Sequence, residues 1–527
     1  MKSLTRLSAA AALMLSASAL SAHAENTLKW ASRADIFSLD PVSIASTSNL
    51  AFLNHMYEGL VRYDKTFGIE PALATEWELV DREDGGKAWR FTLRQGVTFH
   101  NGAAFDADDV VASFQRTADP DSPLRGNMPL YENVRKIDSH TVEVDVSSGS
   151  RLFLNDITNI FMFDADWLAE NDSLKPTNYG SGAEGYATTH AMGTGPFVLE
   201  SRKPDAMTVL TANPDWWDEK HHNIDRLEYI PIASAATRVA ALLSGEVDLI
   251  DSAPLQDLGR LEASPDVTVH ALTELRTVFV GFNRQEKLHD GRDNPFNDIR
   301  VRQAFELAID RDVLNQRVMR GAARPTGSLV APDIGGYVPE LDVYEPADPD
   351  KARTLLQEAG QEGLAFTYTC NNDESINEED WCQAIANMLT RVGFAPSIDM
   401  GPRSIQSPKR TRGETDVFNL SWATEPTLDA FSLIGQVLAS RDGAFGVTNI
   451  GRWSVPELDK YARASGDAIE IDELRAAEAE ALRIAKEEIL LIPLWQQPIA
   501  WASTDKIQEI DLRADNKARH WFTVIAE

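Results

Sequence analysis

Two short apolar runs, more than 200 residues apart, constrain this chain more than any other feature. The first is TVFVGFN at residues 277–283, whose Val278, Phe279, Val280 and Phe282 read as a buried strand. A polar loop with Gly291 and Pro295 follows, and Asp298 then opens a helix. Val301, Phe305, Ala308 and Ile309 recur on one face of it, with Arg300, Arg302 and Glu306 off that face. Asp310 is placed to cap a second helix from Arg311. The second run, ILLIPLWQQPIAW at residues 489–501, follows a long polar helix over 471–488. A buried strand at each change of helical layer reads as an outgoing and a return crossing between two α/β bodies.

Lys2 and Arg6 precede an apolar stretch from Leu7 to Leu20, and Ala22-His23-Ala24 supplies a small-residue cleavage site. That pattern is a secretory signal peptide over residues 1–24, because the stretch is too short and too rich in Ala and Ser to span a bilayer. No direct membrane anchor is expected. The remaining 503 residues (527 − 24) exceed what one core holds. The formal charge of −31 becomes −33 when Lys2 and Arg6 leave, which argues against nucleic acid and anionic membranes as partners.

The periods along the chain alternate between strand and helix. In residues 87–93, Trp89, Phe91 and Leu93 share one face while Arg90 and Thr92 share the other. Gln95-Gly96 and Asn101-Gly102 are turn dipeptides, and Asp106 caps a helix with Asp108 and Asp109 in its first turn. Residues 49–60 read as a helix stopped by Gly59, behind a small polar loop over 43–49 that either caps it or offers its backbone to a ligand. Asp348-Pro349 starts another helix that ends at Gly360, residues 366–370 form a strand, and residues 378–392 form a helix ended by Gly393. Ser454 and Glu457 have the spacing of a capping box. Cys370 ends a strand and Cys382 lies in the next helix, so a disulfide is expected in an exported chain.

Catalytic signals are weak. There is no G-x-S-x-G elbow and no H-E-x-x-H. MGTGPFVL at 192–199 completes no phosphate loop and reads as a turn into a strand. His100 beside an Asn-Gly turn reads as structural, and His221-His222 reads as a solvated loop rather than a metal site. No metal, cofactor or catalytic residue is expected, and an exported hydrolase is the weaker alternative.

At this point a family resemblance enters. The segment FTLRQGVTFHNGAAFDADDVVASFQR at 91–116 resembles the signature region of the periplasmic solute-binding proteins of family 5, the peptide and nickel receptors of ABC importers. MYEGLVRYD, MGTGPFVLE, LLSGEVDLI, DIRVRQAFELAIDRDVL, PDKARTLLQEAG and NLSWATEPTLD match in the same order over nearly the whole chain after residue 24. The resemblance implies a two-lobed α/β fold, the type II periplasmic binding protein fold with an extra subdomain in the first lobe. On this chain it places lobe I at 25–277 with the subdomain at about 60–185, lobe II at 278–496, and a return segment at 497–527 that completes lobe I. It implies a monomeric periplasmic protein that captures a peptide or peptide-like solute and delivers it to membrane permease subunits. An oligosaccharide or a metal chelate is the alternative ligand, and a chemoreceptor partner the alternative role.

The implied binding positions are the loop Ala45-Ser46-Thr47, Trp422, Arg410 and Arg403. The family's aspartate for a peptide amino group has no direct match in Ser421-Trp422-Ala423-Thr424-Glu425, and Glu425 or Asp429 stands nearest. The basic run Lys409-Arg410-Thr411-Arg412 suggests an anionic group on the ligand, met by a planar guanidinium.

Overall fold

The protein is described from a computed structural model covering residues 25–526, apart from 180, 181, 373 and 444. The signal peptide expected over 1–24 lies outside the described residues. The two crossings are one antiparallel ladder. The outgoing strand Val267–Phe282 and the return strand Leu491–Thr504 pair from Val267↔Thr504 to Gly281↔Leu491. The ladder is interrupted between Thr273↔Pro498 and Thr277↔Gln496, and a second, smaller register shift lies between Val278↔Trp495 and Phe279↔Pro493. At the first of these Leu275 N–H turns to the carbonyl of Ala514 at 2.9 Å.

This pair is the middle of an eleven-stranded sheet. On the outgoing side lie Val417–Trp422, Ala365–Asn371 and Ala395–Gly401, parallel to one another. On the return side lie Leu249–Ile250, Thr27–Ser32, Arg226–Pro231, Met207–Ala212 and Phe197–Lys203. The first three of these are parallel, and each of the last two runs antiparallel to the strand before it. Each lobe buries both faces of its part. In lobe II, Phe282, Phe296, Phe305, Phe366 and Phe394 pack on one side and Phe418, Leu433, Val437 and Leu458 on the other. In lobe I, Trp30, Phe52, Tyr229 and Trp501 fill one side, and Val239, Leu242 and Leu261 fill the other.

The extra subdomain has a sheet of its own, ordered Ala74–Asp81, Lys87–Leu93, Thr141–Val146, Tyr131–Asp138 and wholly antiparallel. Phe91 and Leu93 are buried against Val110 and Phe114 of helix Ala107–Ala118. Arg90, on the opposite face, pairs with Glu143 at 2.7 Å. Asp106 caps the helix in a reciprocal box with Asp109. Arg116, in the helix's last turn, ties the subdomain to lobe I through a two-pronged bond to Asp40 at 2.6 and 2.7 Å. Both side chains are essentially inaccessible, 1% and 0% exposed, and Arg116 also donates to the carbonyl of Ser173.

Three local readings are corrected. The first helix runs Thr47–Leu53, not to residue 60. Beyond it the carbonyls of His55 and Met56 are taken by Phe197 and Gly195 N–H groups at 3.0 and 2.9 Å. Gly193 and Gly195 permit this approach, since a Cβ would stand 2.2 and 2.6 Å from Met56 backbone atoms. Helix Pro456–Asp467 has Val455 rather than a Ser454 side chain at its start, because Ser454 is bonded to Ser440. His222 is buried, with Nδ1 3.1 Å from the Ile224 carbonyl; only His221 is exposed at the surface.

Replacing Arg116 by methionine should lower the unfolding free energy by about 3–5 kcal/mol, because Asp40 stays buried and loses its counter-charge. Urea denaturation followed by tryptophan fluorescence reads the change, and a loss under about 1 kcal/mol would mean the pair behaves as a solvated one.

Candidate functional site

The strand directions make the cleft. Leu249↔Ser503 and Ile250↔Ala502 show that the parallel strands of lobe I advance toward Pro498. Phe282↔Val417 and Thr277↔Trp422 show that those of lobe II advance toward the same point. The carboxyl ends of both sets therefore face each other across the break in the ladder, the position at which open α/β sheets hold ligands.

The floor of this cleft is polar although the crossing strands are otherwise apolar. Arg276 lies 3.3 Å from Glu274 and donates to Ser421 Oγ at 3.3 Å. Gln497 Nε2 donates to the other oxygen of Glu274 at 2.8 Å, and its own Oε1 accepts from Ile376 N.

On the lobe I wall, Ser46 caps the helix Thr47–Leu53 by accepting from Asn49 N–H, while Ala45 and Thr47 stay exposed. Glu425 of lobe II pairs with Lys517 of the C-terminal segment at 3.0 Å. Burial raises the Glu425 pKa and Lys517 works against that rise. Near it, Tyr63 Oη donates to the carbonyls of Pro426 and Thr427 at 2.8 and 2.7 Å. Asn155 Nδ2 reaches the same Thr427 carbonyl at 3.0 Å. Thr427 Oγ1 donates to Asp156 at 2.9 Å. The first lobe and its subdomain thus hold the 425–429 loop of the second by polar contacts.

On the lobe II wall, Glu374 stands between two arginines, with Arg403 at 3.6 Å and Arg410 at 3.3 Å. Arg403 is exposed at the start of helix Arg403–Arg412. Arg410 is buried and its other prong is bound to the Asn419 carbonyl at 2.6 Å. Asn419 and Glu378 are bonded beneath it at 3.1 Å. Trp422 is half-buried, with Nε1 on Ser432 Oγ at 3.1 Å. Asp429 is buried away from solvent, accepting from Arg475 at 2.6 Å and from Phe431 N–H at 3.0 Å. Cys370 and Cys382 are joined as a disulfide beside this network, with Cα atoms 6.6 Å apart. Of the positions carried by resemblance, the structure leaves Ala45 and Thr47 exposed at the start of the first helix and sets Arg403 at the edge of lobe II and Trp422 at the carboxyl end of its strand. It places Arg410 and Asp429 behind them, already bonded. Glu274, Arg276, Gln497, Tyr63, Asn155, Asp156 and Lys517 were missed. The polar letters of TELRT and WQQP, interrupting two apolar runs, were the signal for the floor. Among the described residues, no three His, Cys, Asp or Glu side chains are grouped to hold a metal.

Sequence comparison settles the family. The description "Bacterial extracellular solute-binding proteins, family 5 Middle" matches residues 68–444. This chain belongs to that family. It is a binding protein, not an enzyme. It is 32% identical over 339 residues to heme-binding protein A of Haemophilus influenzae, a match covering 60% of this chain and 58% of that one. It is 27% identical over 495 residues to the glutathione-binding protein GsiB of Salmonella typhimurium, covering 92% of each. In structure it resembles HbpA2 from Haemophilus parasuis, with a TM-score of 0.80, 22% identity and coverage of 95% and 100%. The family 5 chain described here therefore has the two-lobed periplasmic binding protein fold.

Burial, reinforced by the nearby Asp429 and opposed by the Thr427 hydrogen bond, pushes the Asp156 carboxyl up to about 8 from 3.8. The folded form thus holds this proton more tightly than the unfolded chain. Its stabilising effect is complete below the unfolded value and is lost as pH rises through the folded one. Between about pH 5 and 8 the Tm of the parent should fall more steeply than that of Asp156→Asn. Parallel slopes in thermal scans would show that Asp156 ionises as in the unfolded chain.

Proposed function

We propose that this protein is exported to the periplasm, captures a peptide or peptide-like solute between its lobes, and presents it to the permease of an ABC importer. The observation that carries this reading is the two-strand crossing, with the carboxyl ends of both lobes' strands facing each other over a polar floor. Such an arrangement needs no chemistry. A solute that binds the closed form better than the open one shifts the population toward closure, and the closed surface is what a permease can recognise.

The solute is set among the exposed backbone of Ala45–Thr47, the Arg276 floor, Arg403 and the Trp422 ring. Arg410 and Asp429 act from behind, Arg410 by fixing Glu374 and Asp429 by fixing the start of the helix after the 425–429 loop. The relatives named for glutathione and di- or tripeptides support a peptide-like ligand with at least one carboxylate. The cationic Arg276 and Arg403, in a chain of net charge −31, would offset the general field against such an anion.

A thermal-shift screen of the exported form against peptide, sugar and metal-chelate panels tests the reading, since a ligand at 100 times its Kd adds about 2.7 kcal/mol of stability. Stabilisation by sugars or chelates alone would overturn the peptide assignment. With a ligand in hand, Trp422→Ala should weaken binding roughly tenfold by calorimetry while leaving the fold intact. Arg410→Ala should instead cost about 1–3 kcal/mol of folding stability, because the Asn419 carbonyl and Glu374 lose their donor.

A further inference from the structure

Besides the ladder and the Glu425–Lys517 pair, the bodies meet where subdomain residues 149–156 lie against lobe II. Arg151 N–H donates to the carbonyl of Ala468 at 3.4 Å. Leu152, Ala468 and Leu474 form a small buried cluster with Phe431 packed against it. Beside that cluster Thr427 Oγ1 donates to Asp156 Oδ1 at 2.9 Å, and Asn155 Nδ2 donates to the Thr427 carbonyl at 3.0 Å.

Each side of this contact is fixed to its own body. The turn after Asp156 is joined to lobe I by the bridge Gly59↔Phe161 and by Met162 N–H on the Glu58 carbonyl at 2.9 Å. The 425–429 loop is fixed to lobe II: Gly335 N–H donates to the Leu428 carbonyl at 3.2 Å, and Ala430 N–H donates to the Gly335 carbonyl at 2.7 Å. A Cβ at Gly335 would stand 2.6 Å from Asp429 Oδ2, so the two segments are in close contact. Separating the bodies therefore breaks the Thr427–Asp156 bond.

Three carboxyl groups gather here around one cation. Asp429 Oδ2 and Glu478 Oε2 both accept from the same Arg475 Nη1, each at 2.6 Å. Asp156 is 7% exposed, and among the described residues no basic side chain is paired with it. Facing it are Thr427 and Asp429 from the loop and Tyr63 from lobe I, with Arg475 and Glu478 behind Asp429. Burial raises the Asp156 carboxyl, the Thr427 bond opposes the rise, and Asp429 adds to it. Once the bodies part, Asp156 leaves Asp429 and meets water, so it returns toward the ordinary carboxylate range. Glu478 is raised as well, by burial first and then by Asp429. Its neighbours Asp429 and Arg475 belong to lobe II and move with it, so its proton is not exchanged by separation.

We propose that this contact is a proton-operated clasp: the lobes join there with Asp156 neutral, and its ionisation releases the 425–429 loop from the subdomain and opens the cleft. Closing takes up one proton from solvent, and opening returns it. Because the closed form holds the proton more tightly, closure is favoured as pH falls and is lost as pH rises through the closed-form value. Each pH unit between the open and closed values changes the open-to-closed ratio by up to about tenfold. The clasp acts on the bodies themselves and needs no solute.

Small-angle X-ray scattering of the whole exported chain without solute, from about pH 5 to 9, tests the clasp. The radius of gyration of the parent should rise with pH. Asp156→Asn keeps an uncharged acceptor for Thr427, so it should stay compact across the range. A parent radius that does not change with pH overturns the proposal whether or not the variant folds. So does an equal rise in the parent and a folded Asp156→Asn, since the rise would then come from the general repulsion of an acidic chain.

Discussion

Everything in this molecule depends on one ladder of backbone hydrogen bonds, the pairing of the outgoing strand with the return strand. Its two ends belong to different bodies. The stretch from Val267 to Thr273 is built into the sheet of lobe I, and the stretch from Thr277 to Gly281 into that of lobe II. Because the flanking strands of both bodies are parallel within themselves, fixing this one ladder also fixes which edges face each other. The cleft is thus a consequence of strand direction. The break opposite Gln497 matters for the same reason: it is the longest unpaired stretch of the ladder, so bending there costs least.

The electrostatics follow a simple division. Deep in the fold, Arg116 is paired with Asp40 within one body. Charges at the contact between the bodies form chains that cross it, as in Asp515, Lys517 and Glu425. Side chains in such chains change their surroundings when the bodies separate, whereas Arg116 does not. The interlobe groups are therefore where solution conditions can act on the conformational equilibrium, and the buried pairs are where they act on the fold.

Much of this was legible in the sequence, because the relevant signals are local. Asp106, Asp298, Asp310 and Asp348 each cap the helix that follows, since a short acceptor before an amphipathic stretch has one use. The crossings were visible as apolar runs, but the outgoing strand was taken ten residues too short. Residues 267–276 are mostly half-exposed and carry His270, Glu274 and Arg276, so they lack the uniform burial that marks the rest. Arg410 illustrates the harder case. Its basic neighbours suggested a ligand contact, yet its guanidinium is bound to the carbonyl of Asn419 in the next strand, and no spacing in the sequence reveals that partner. Tyr63 and Thr427, 364 positions apart, were likewise beyond local reading.

The place of the return strand in the sheet has a further consequence for the order in which the chain can be assembled. It lies between Leu249–Ile250 and the outgoing strand, so the lobe I strands on its far side precede it by some 240 residues or more. A growing chain that has reached residue 490 has the strands of lobe I in two unjoined pieces, each with an open edge. Lobe II at that moment has its parallel strands and most of its helices already in hand. The second body is thus free to mature before the first, and the last stretch to appear converts two unfinished sheets into one.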